Sequence, residues 1–152
     1  MKRFHSFSSE ETKQFGREIA ESLMSGAPHS AGAATALIFA LRGDLGAGKT
    51  TFTQGFFQGI GIKRNPISPT FVIMRRYGIR RSGFRNAYHF DAYRLKKAED
   101  VEVLEFGKIT SDPRNIILVE WPERIEGVLP RGAIRLDFAY GRKENERIIK
   151  IL

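Results

Sequence analysis

Cysteine is absent from the 152 residues. No disulfide can staple the chain and no thiolate can hold a metal, which suits a reducing compartment. Long apolar runs are missing too: none reaches the about 20 residues that a membrane-crossing helix needs. The opening stretch Met1-Lys2-Arg3-Phe4-His5-Ser6-Phe7 has no apolar core of the signal-peptide kind. Internal repeats and low-complexity segments are lacking. The N-K-x-D tetrapeptide, a guanine signature of GTPases, occurs nowhere. Together these absences predict a soluble, cytoplasmic protein with no membrane role.

What is present suffices for a core. Hydrophobic residues make up 41% of the chain, and 12 residues are phenylalanine. The length fits one domain over residues 1–152. Positive charge dominates, 25 Lys and Arg against 17 Asp and Glu, for a formal net charge of +8. Such a surplus fits anionic partners such as nucleotides or RNA. It fits a well-solvated surface equally.

The chain is organised around Gly43-Asp44-Leu45-Gly46-Ala47-Gly48-Lys49-Thr50, followed by Thr51. This matches G-x-x-x-x-G-K-S/T, the phosphate-binding loop. The flanks carry as much weight as the match. Thr35-Ala36-Leu37-Ile38-Phe39-Ala40-Leu41 is an unbroken apolar run of the kind shown by a central parallel strand buried on both faces. After the loop, Phe52, Phe56 and Ile60 stand at helical spacing. Strand, glycine loop and helix are what the chemistry requires. Glycines let successive N–H groups, among them those of Asp44, Gly46, Ala47 and Gly48, turn inward on a polyphosphate at the positive end of a helix. Lys49 would reach the β- and γ-phosphates, and the Thr50 hydroxyl would ligate Mg²⁺.

Taken in order, residues 1–7 alternate loosely and predict an edge strand. Ser8-Ser9-Glu10-Glu11 is a capping box, opening a helix whose inward face carries Phe15, Ile19 and Leu23. Gly26 is its expected C-cap, Pro28 prevents continuation, and residues 25–34 read as a loop. After the loop helix, which closes at Gly59-Ile60-Gly61, Ser68-Pro69-Thr70-Phe71 leads into a strand at Val72-Ile73-Met74. A turn at Arg80-Arg81-Ser82-Gly83 precedes a returning strand from Phe84 to Tyr93. A short helix is expected around Glu99–Leu104. Ile116-Ile117-Leu118-Val119 repeats the buried-strand pattern and ends at Glu120-Trp121-Pro122. Residues 133–139 and 146–152 predict a C-terminal hairpin around Gly141-Arg142-Lys143-Glu144-Asn145. The fold class is therefore α/β: a P-loop NTPase-like mixed sheet with a parallel core, flanking helices and antiparallel hairpins.

A nucleotide hydrolase also needs an acid near Mg²⁺, usually at the end of a buried strand beside the loop strand. Glu120 has that place, since a carboxylate at the C-terminal edge of a parallel strand shares the crevice with the phosphate loop. In His89-Phe90-Asp91-Ala92-Tyr93-Arg94, alternation puts His89, Asp91 and Tyr93 on one strand face. That face fits a polar cluster in which Asp91 orients the attacking water, and it fits an exposed strand face as well. Thr70 likewise fits a γ-phosphate sensor or a plain strand start.

These four motifs, the phosphate loop, Ser68-Pro69-Thr70-Phe71, His89-Phe90-Asp91-Ala92-Tyr93-Arg94 and Val119-Glu120-Trp121-Pro122-Glu123-Arg124, resemble in order and spacing the bacterial family of tRNA threonylcarbamoyladenosine-biosynthesis ATPases. The resemblance covers nearly the whole chain. It implies a small ATPase that works with TsaD-type and TsaB-type partners, and through them with tRNA, in modifying adenosine 37. On this likeness ATP and Mg²⁺ are the expected ligands. Lys49, Thr50 and Thr51 would bind phosphates, and Thr50 with Glu120 would hold Mg²⁺. Thr70 and Asp91 fall in switch-like motifs, giving Lys49, Thr70, Asp91 and Glu120 as candidate catalytic residues. Trp121 would respond to nucleotide, or simply pack. The family also places the base between the N-terminal segment and the C-terminal hairpin, where Ser9 and Arg142 are candidates. The least family-like stretch is Arg75 to Arg85, with arginines interleaved among aromatics, which fits a tRNA contact or a solvated hairpin tip.

Two rival functions share the phosphate loop. A small-molecule or nucleotide kinase needs a substrate insert and an arginine-bearing lid, for which the short hairpin leaves little chain. A nucleotide-gated binding module would use the same residues with hydrolysis incidental. No arginine finger is assigned by the sequence; Arg94 is a candidate in cis, and a partner is an alternative source in trans.

Overall fold

Alternation along two central strands decides the architecture. Phe39 and Leu41 join one apolar cluster and Ile38 and Ala40 another; Ile116 and Leu118 against Ile117 and Val119 repeat the division. Strands divided in this way need cover on both faces. The computed structural model describes residues 1–26, 29, 32–63 and 73–152. Its strands are β1 (Lys2–Ser6), β2 (Leu37–Gly43), β3 (Met74–Arg81), β4 (Phe84–Asp91), β5 (Asn115–Glu120), β6 (Ile134–Tyr140) and β7 (Arg147–Ile151). They form one mixed sheet of order β1-β7-β6-β2-β5-β4-β3. The four middle strands β6, β2, β5 and β4 run parallel, and antiparallel pairs close both edges.

One face is covered by α1 (Ser9–Ser25) and α2 (Lys49–Gly59). There the phenylalanines do most of the filling: Phe52, Phe56 and Phe57 of α2 are fully buried, and Phe52 meets Phe138 edge-on at 5.6 Å between ring centres. The other face is covered by 3₁₀ segments at Ala98–Leu104 and Pro122–Ile125 and by α3 (Phe106–Thr110). Phe106 there meets Phe90 of β4 edge-on, 5.1 Å between ring centres.

Several expectations shift in the structure. The buried stripe of α1 is Thr12, Gly16, Ala20 and Met24, not Phe15, Ile19 and Leu23. Small residues are needed because α1 lies against α2: a Cβ on Gly59 would stand 2.6 Å from that of Ala20, and one on Gly55 would collide with the Lys13 carbonyl. Phe15, Ile19 and Leu23 pack, half buried, at the flank. Ser8 caps α1 as expected, its hydroxyl accepting from Glu11 N–H at 3.1 Å, but the Glu11 carboxylate accepts from Phe7 rather than from Ser8.

In the β3–β4 hairpin the turn narrows to Ser82–Gly83, both with positive φ (51° and 83°). That is the two-residue geometry whose twist matches the strands it joins. β4 ends at Asp91, so Tyr93 lies beyond the strand. It is 43% exposed while His89 is fully buried, and the shared face expected for the two does not extend that far. The short helix expected near residue 99 is a 3₁₀ segment. Ser68-Pro69-Thr70-Phe71, Val72 and Pro28 lie outside the described residues.

Candidate functional site

The loop between β2 and α2 turns through glycine. Gly46 has φ 76° and Gly48, the residue before α2, has φ 104° and ψ 8°. Both lie in the left-handed region where a side chain would be strained. Lys49, only 4% exposed, folds back over the loop. Its Nζ donates to the carbonyls of Gly43 at 2.5 Å and Asp44 at 2.9 Å, and stands 4.3 Å from the centre of the Trp121 ring. Burial pushes the Lys49 ammonium below its ordinary pKa, opposed by the charges of Glu120, Glu123, Asp91 and Asp44. A buried cation beside loop carbonyls gains most from an incoming anion.

Glu120 ends β5, opposite Leu41 of β2 on one side and Asp91 of β4 on the other. It is 3% exposed. The Thr50 hydroxyl lies 3.1 Å from one of its carboxylate oxygens and 3.2 Å from the other, and His89 Nε2 lies 2.8 Å from Oε1. A hydroxyl and a carboxylate this close, at a helix start that can also receive phosphate oxygens, form a donor set suited to Mg²⁺, which is usually held by few protein groups plus phosphates. Asp91 Oδ1 accepts from the Tyr93 N–H at 3.0 Å. A hollow of about 210 Å³ brings Lys49, Thr50, Thr51, Asp91, Glu120 and Trp121 together. Trp121 itself holds a left-handed backbone, φ 58° and ψ 49°, and its ring packs 4.9 Å from that of Tyr93.

The opposite flank of the loop is tied to the C-terminal hairpin. Tyr140 Oη donates to the Leu45 carbonyl at 2.5 Å, and Arg147 Nε donates to the Gly46 carbonyl at 3.2 Å. The Arg147 guanidinium also stacks 4.5 Å from the centre of the Tyr140 ring. A second hollow of about 300 Å³ opens here, lined by Ser9 and Thr12 of α1, Gly48 of the loop, Thr51 of α2, and Asn145 and Arg147 of the hairpin. Ser9 thus lies at this hollow. Arg142 does not line it: it is exposed in the hairpin loop, its backbone N–H bonded to Glu146 at 2.7 Å.

Three residues that support the site, His89, Tyr140 and Arg147, were not among the candidate catalytic or binding residues, although His89 stood in the polar strand face. His89 carried a signal, its two-residue spacing from Asp91. Tyr140 and Arg147 carried only their positions on either side of the hairpin loop, where they are cross-strand partners. The arginine-rich hairpin sits elsewhere. β4 runs parallel to β5 and meets Glu120 at its Asp91 end, so its Phe84 end and the turn lie at the opposite end of the sheet from the phosphate loop. An open concavity there is lined by Arg80, Arg81, Arg85 and Arg114.

Comparison with known proteins gives one consistent answer. A family model described as "Threonylcarbamoyl adenosine biosynthesis protein TsaE" matches residues 6–149. The Haemophilus influenzae tRNA threonylcarbamoyladenosine biosynthesis protein TsaE is 38% identical over 127 residues, 84% of this chain and 75% of that protein. The Bacillus subtilis protein of the same name is 41% identical over 100 residues, 65% of this chain and 59% of its own length. Among solved structures, that of Bacillus subtilis YdiB superposes with a TM-score of 0.70 at 31% identity, covering 99% of this chain and 83% of the other.

Proposed function

This chain belongs to the TsaE family of threonylcarbamoyl adenosine biosynthesis proteins, and on that premise we propose that it is the ATPase subunit of the tRNA-modifying assembly. In this reading it binds and hydrolyses Mg-ATP to support turnover of TsaD-type and TsaB-type partners at adenosine 37, and meets tRNA through that complex. The observation that carries the reading is the contact between Thr50 and Glu120, at 3.1 and 3.2 Å, which joins the phosphate loop to the carboxylate of the neighbouring strand.

The chemistry is phosphoryl transfer to water. Lys49 and the loop N–H groups offset charge on the transferring phosphoryl group, and positioning supplies most of the rate. Thr50 and Glu120 would hold Mg²⁺, whose charge would add to that neutralisation when it is bound. Asp91 would orient the attacking water, a reading supported by its burial at the end of β4 in the same hollow. The hollow beside Ser9, Asn145 and Arg147 is the part of the site suited to the nucleoside. The pairing of Met74–Asp91 into the sheet argues against a kinase lid built from that stretch.

Steady-state ATP hydrolysis, with and without the partner proteins, tests this directly. Slow turnover alone that rises on adding them is the expected result, and Glu120→Gln should keep nucleotide binding while slowing turnover. Robust hydrolysis indifferent to the partners, or transfer of the phosphate to a small acceptor, would overturn the reading.

A further inference from the structure

We propose that His89 is the positioning residue of the metal site: its imidazole holds the Glu120 carboxylate in the one orientation that, with the Thr50 hydroxyl, receives a divalent cation. The proposal rests on the reading of Thr50 and Glu120 as that cation's ligands.

His89 is fully buried on β4, and Glu120 is 3% exposed at the end of β5. A carboxylate enclosed to that degree must be satisfied by protein donors. Two are in reach. The Thr50 hydroxyl has a single hydrogen yet stands almost equidistant from both oxygens, so it cannot by itself fix which oxygen it serves. His89 Nε2 breaks that symmetry, lying 2.8 Å from Oε1. With Oε1 engaged from the strand side, Oε2 keeps lone pairs for the cation or a water bound to it.

The rest of the ring's surroundings identify what Nε2 is for. His89 packs edge-on against Phe57 of α2, 5.9 Å between ring centres, and pairs across the sheet with Leu118. Its Nδ1 is buried and has no hydrogen-bond partner among the described residues. The tautomer with hydrogen on Nε2 donates to Glu120 and leaves only a bare lone pair in the apolar wall. A side chain needed merely to fill this wall would be apolar, since half-satisfied polar groups cost stability. The imidazole is therefore kept for its Nε2–H, in the manner of the outer groups that orient metal-binding carboxylates.

The test is the Mg²⁺ dependence of binding by a non-hydrolysable ATP analogue, followed by calorimetry with Mg²⁺ and with EDTA. His89→Leu removes the donor. His89→Asn keeps polarity but places its amide near Nδ1, too short to reach Glu120. His89→Gln extends an amide N–H towards the Nε2 position. The Leu and Asn variants should weaken the apparent Mg²⁺ affinity about 10- to 100-fold and leave the affinity in EDTA within about 2-fold, while the Gln variant recovers most of the loss. The proposal is overturned if the Asn variant keeps the wild-type Mg²⁺ dependence. It is equally overturned if Asn and Gln variants lose affinity by the same factor with and without metal. Should the unaltered protein bind the analogue equally well with Mg²⁺ and with EDTA, it is the ATPase reading that fails.

Discussion

Tyr140 and Arg147, directly opposite each other across the β6–β7 hairpin, fasten the phosphate loop from outside. One binds the Leu45 carbonyl and the other the Gly46 carbonyl, while the guanidinium lies over the phenol ring. The loop is thereby tied to residues far along the chain.

Removing the phenol hydroxyl should therefore loosen the loop without unfolding the sheet. Tyr140→Phe is expected to lower nucleotide affinity about 2- to 10-fold, the equivalent of about 0.5–1.5 kcal/mol for one hydrogen bond. The thermal midpoint should stay almost unchanged. Calorimetric titration with the ATP analogue checks this, and unchanged affinity would refute it.

Lys49 occupies the loop's own carbonyls and the face of Trp121, the sole tryptophan. Phosphates entering the loop must draw the ammonium away from both, so tryptophan emission should change on nucleotide binding. Lys49→Ala should already alter the emission without nucleotide, and should abolish the response to it. An emission spectrum indifferent to saturating nucleotide would refute the prediction.

Gly55 sits where α2 crosses α1, and a methyl group there would run into the Lys13 carbonyl. Backbone cannot yield as a flexible side chain does. Gly55→Ala should cost about 1–3 kcal/mol of stability, despite the better helix propensity of alanine. Denaturant unfolding measures it, and a neutral or stabilised variant would show that the helices can part.

The Asp112 carboxyl is held at about 2, below its ordinary 3.8, chiefly by hydrogen bonds from Arg114. A depressed carboxylate contributes stability above pH 3.8, and that contribution is lost as pH falls from 3.8 towards 2. Arg114→Ala should therefore flatten the fall of the thermal midpoint across that window. By the same linkage its cost at pH 7 equals the part of the fall it removes, and both are small because the pair is substantially exposed. Identical pH profiles for the two proteins would count against the pairing.

Arg80, Arg81 and Arg85 line the concavity at the end of the sheet opposite the phosphate loop. If this surface meets tRNA in the assembled complex, replacing all three by Ser should weaken tRNA binding and flatten its salt dependence. ATP hydrolysis by the isolated protein should be unaffected. A complex with unchanged tRNA affinity and salt slope would leave the hairpin a solvated edge.

The phosphate loop, the strand before it, the helix after it and Glu120 were legible in the sequence, because each is specified by neighbouring residues. Left-handed turns demand glycine at Gly46 and Gly48, and strands covered on both faces demand unbroken apolar runs. The α/β fold with its parallel core followed from those runs, and β2 and β5 are indeed adjacent. α1 was read one position off because the helical period finds an apolar stripe but says nothing of the distance to the neighbouring helix. At the closest approach the inward positions are the small residues Gly16 and Ala20, with Thr12 and Met24 buried on either side.

The site's outer supports belong to the tertiary structure alone. His89 meets Glu120 across 31 positions, Tyr140 meets Leu45 across 95, and Arg147 meets Gly46 across 101. Hydrogen bonds of that range depend on which strands become neighbours. That order follows from burying both faces of the whole sheet at once, a condition that no local stretch of sequence expresses.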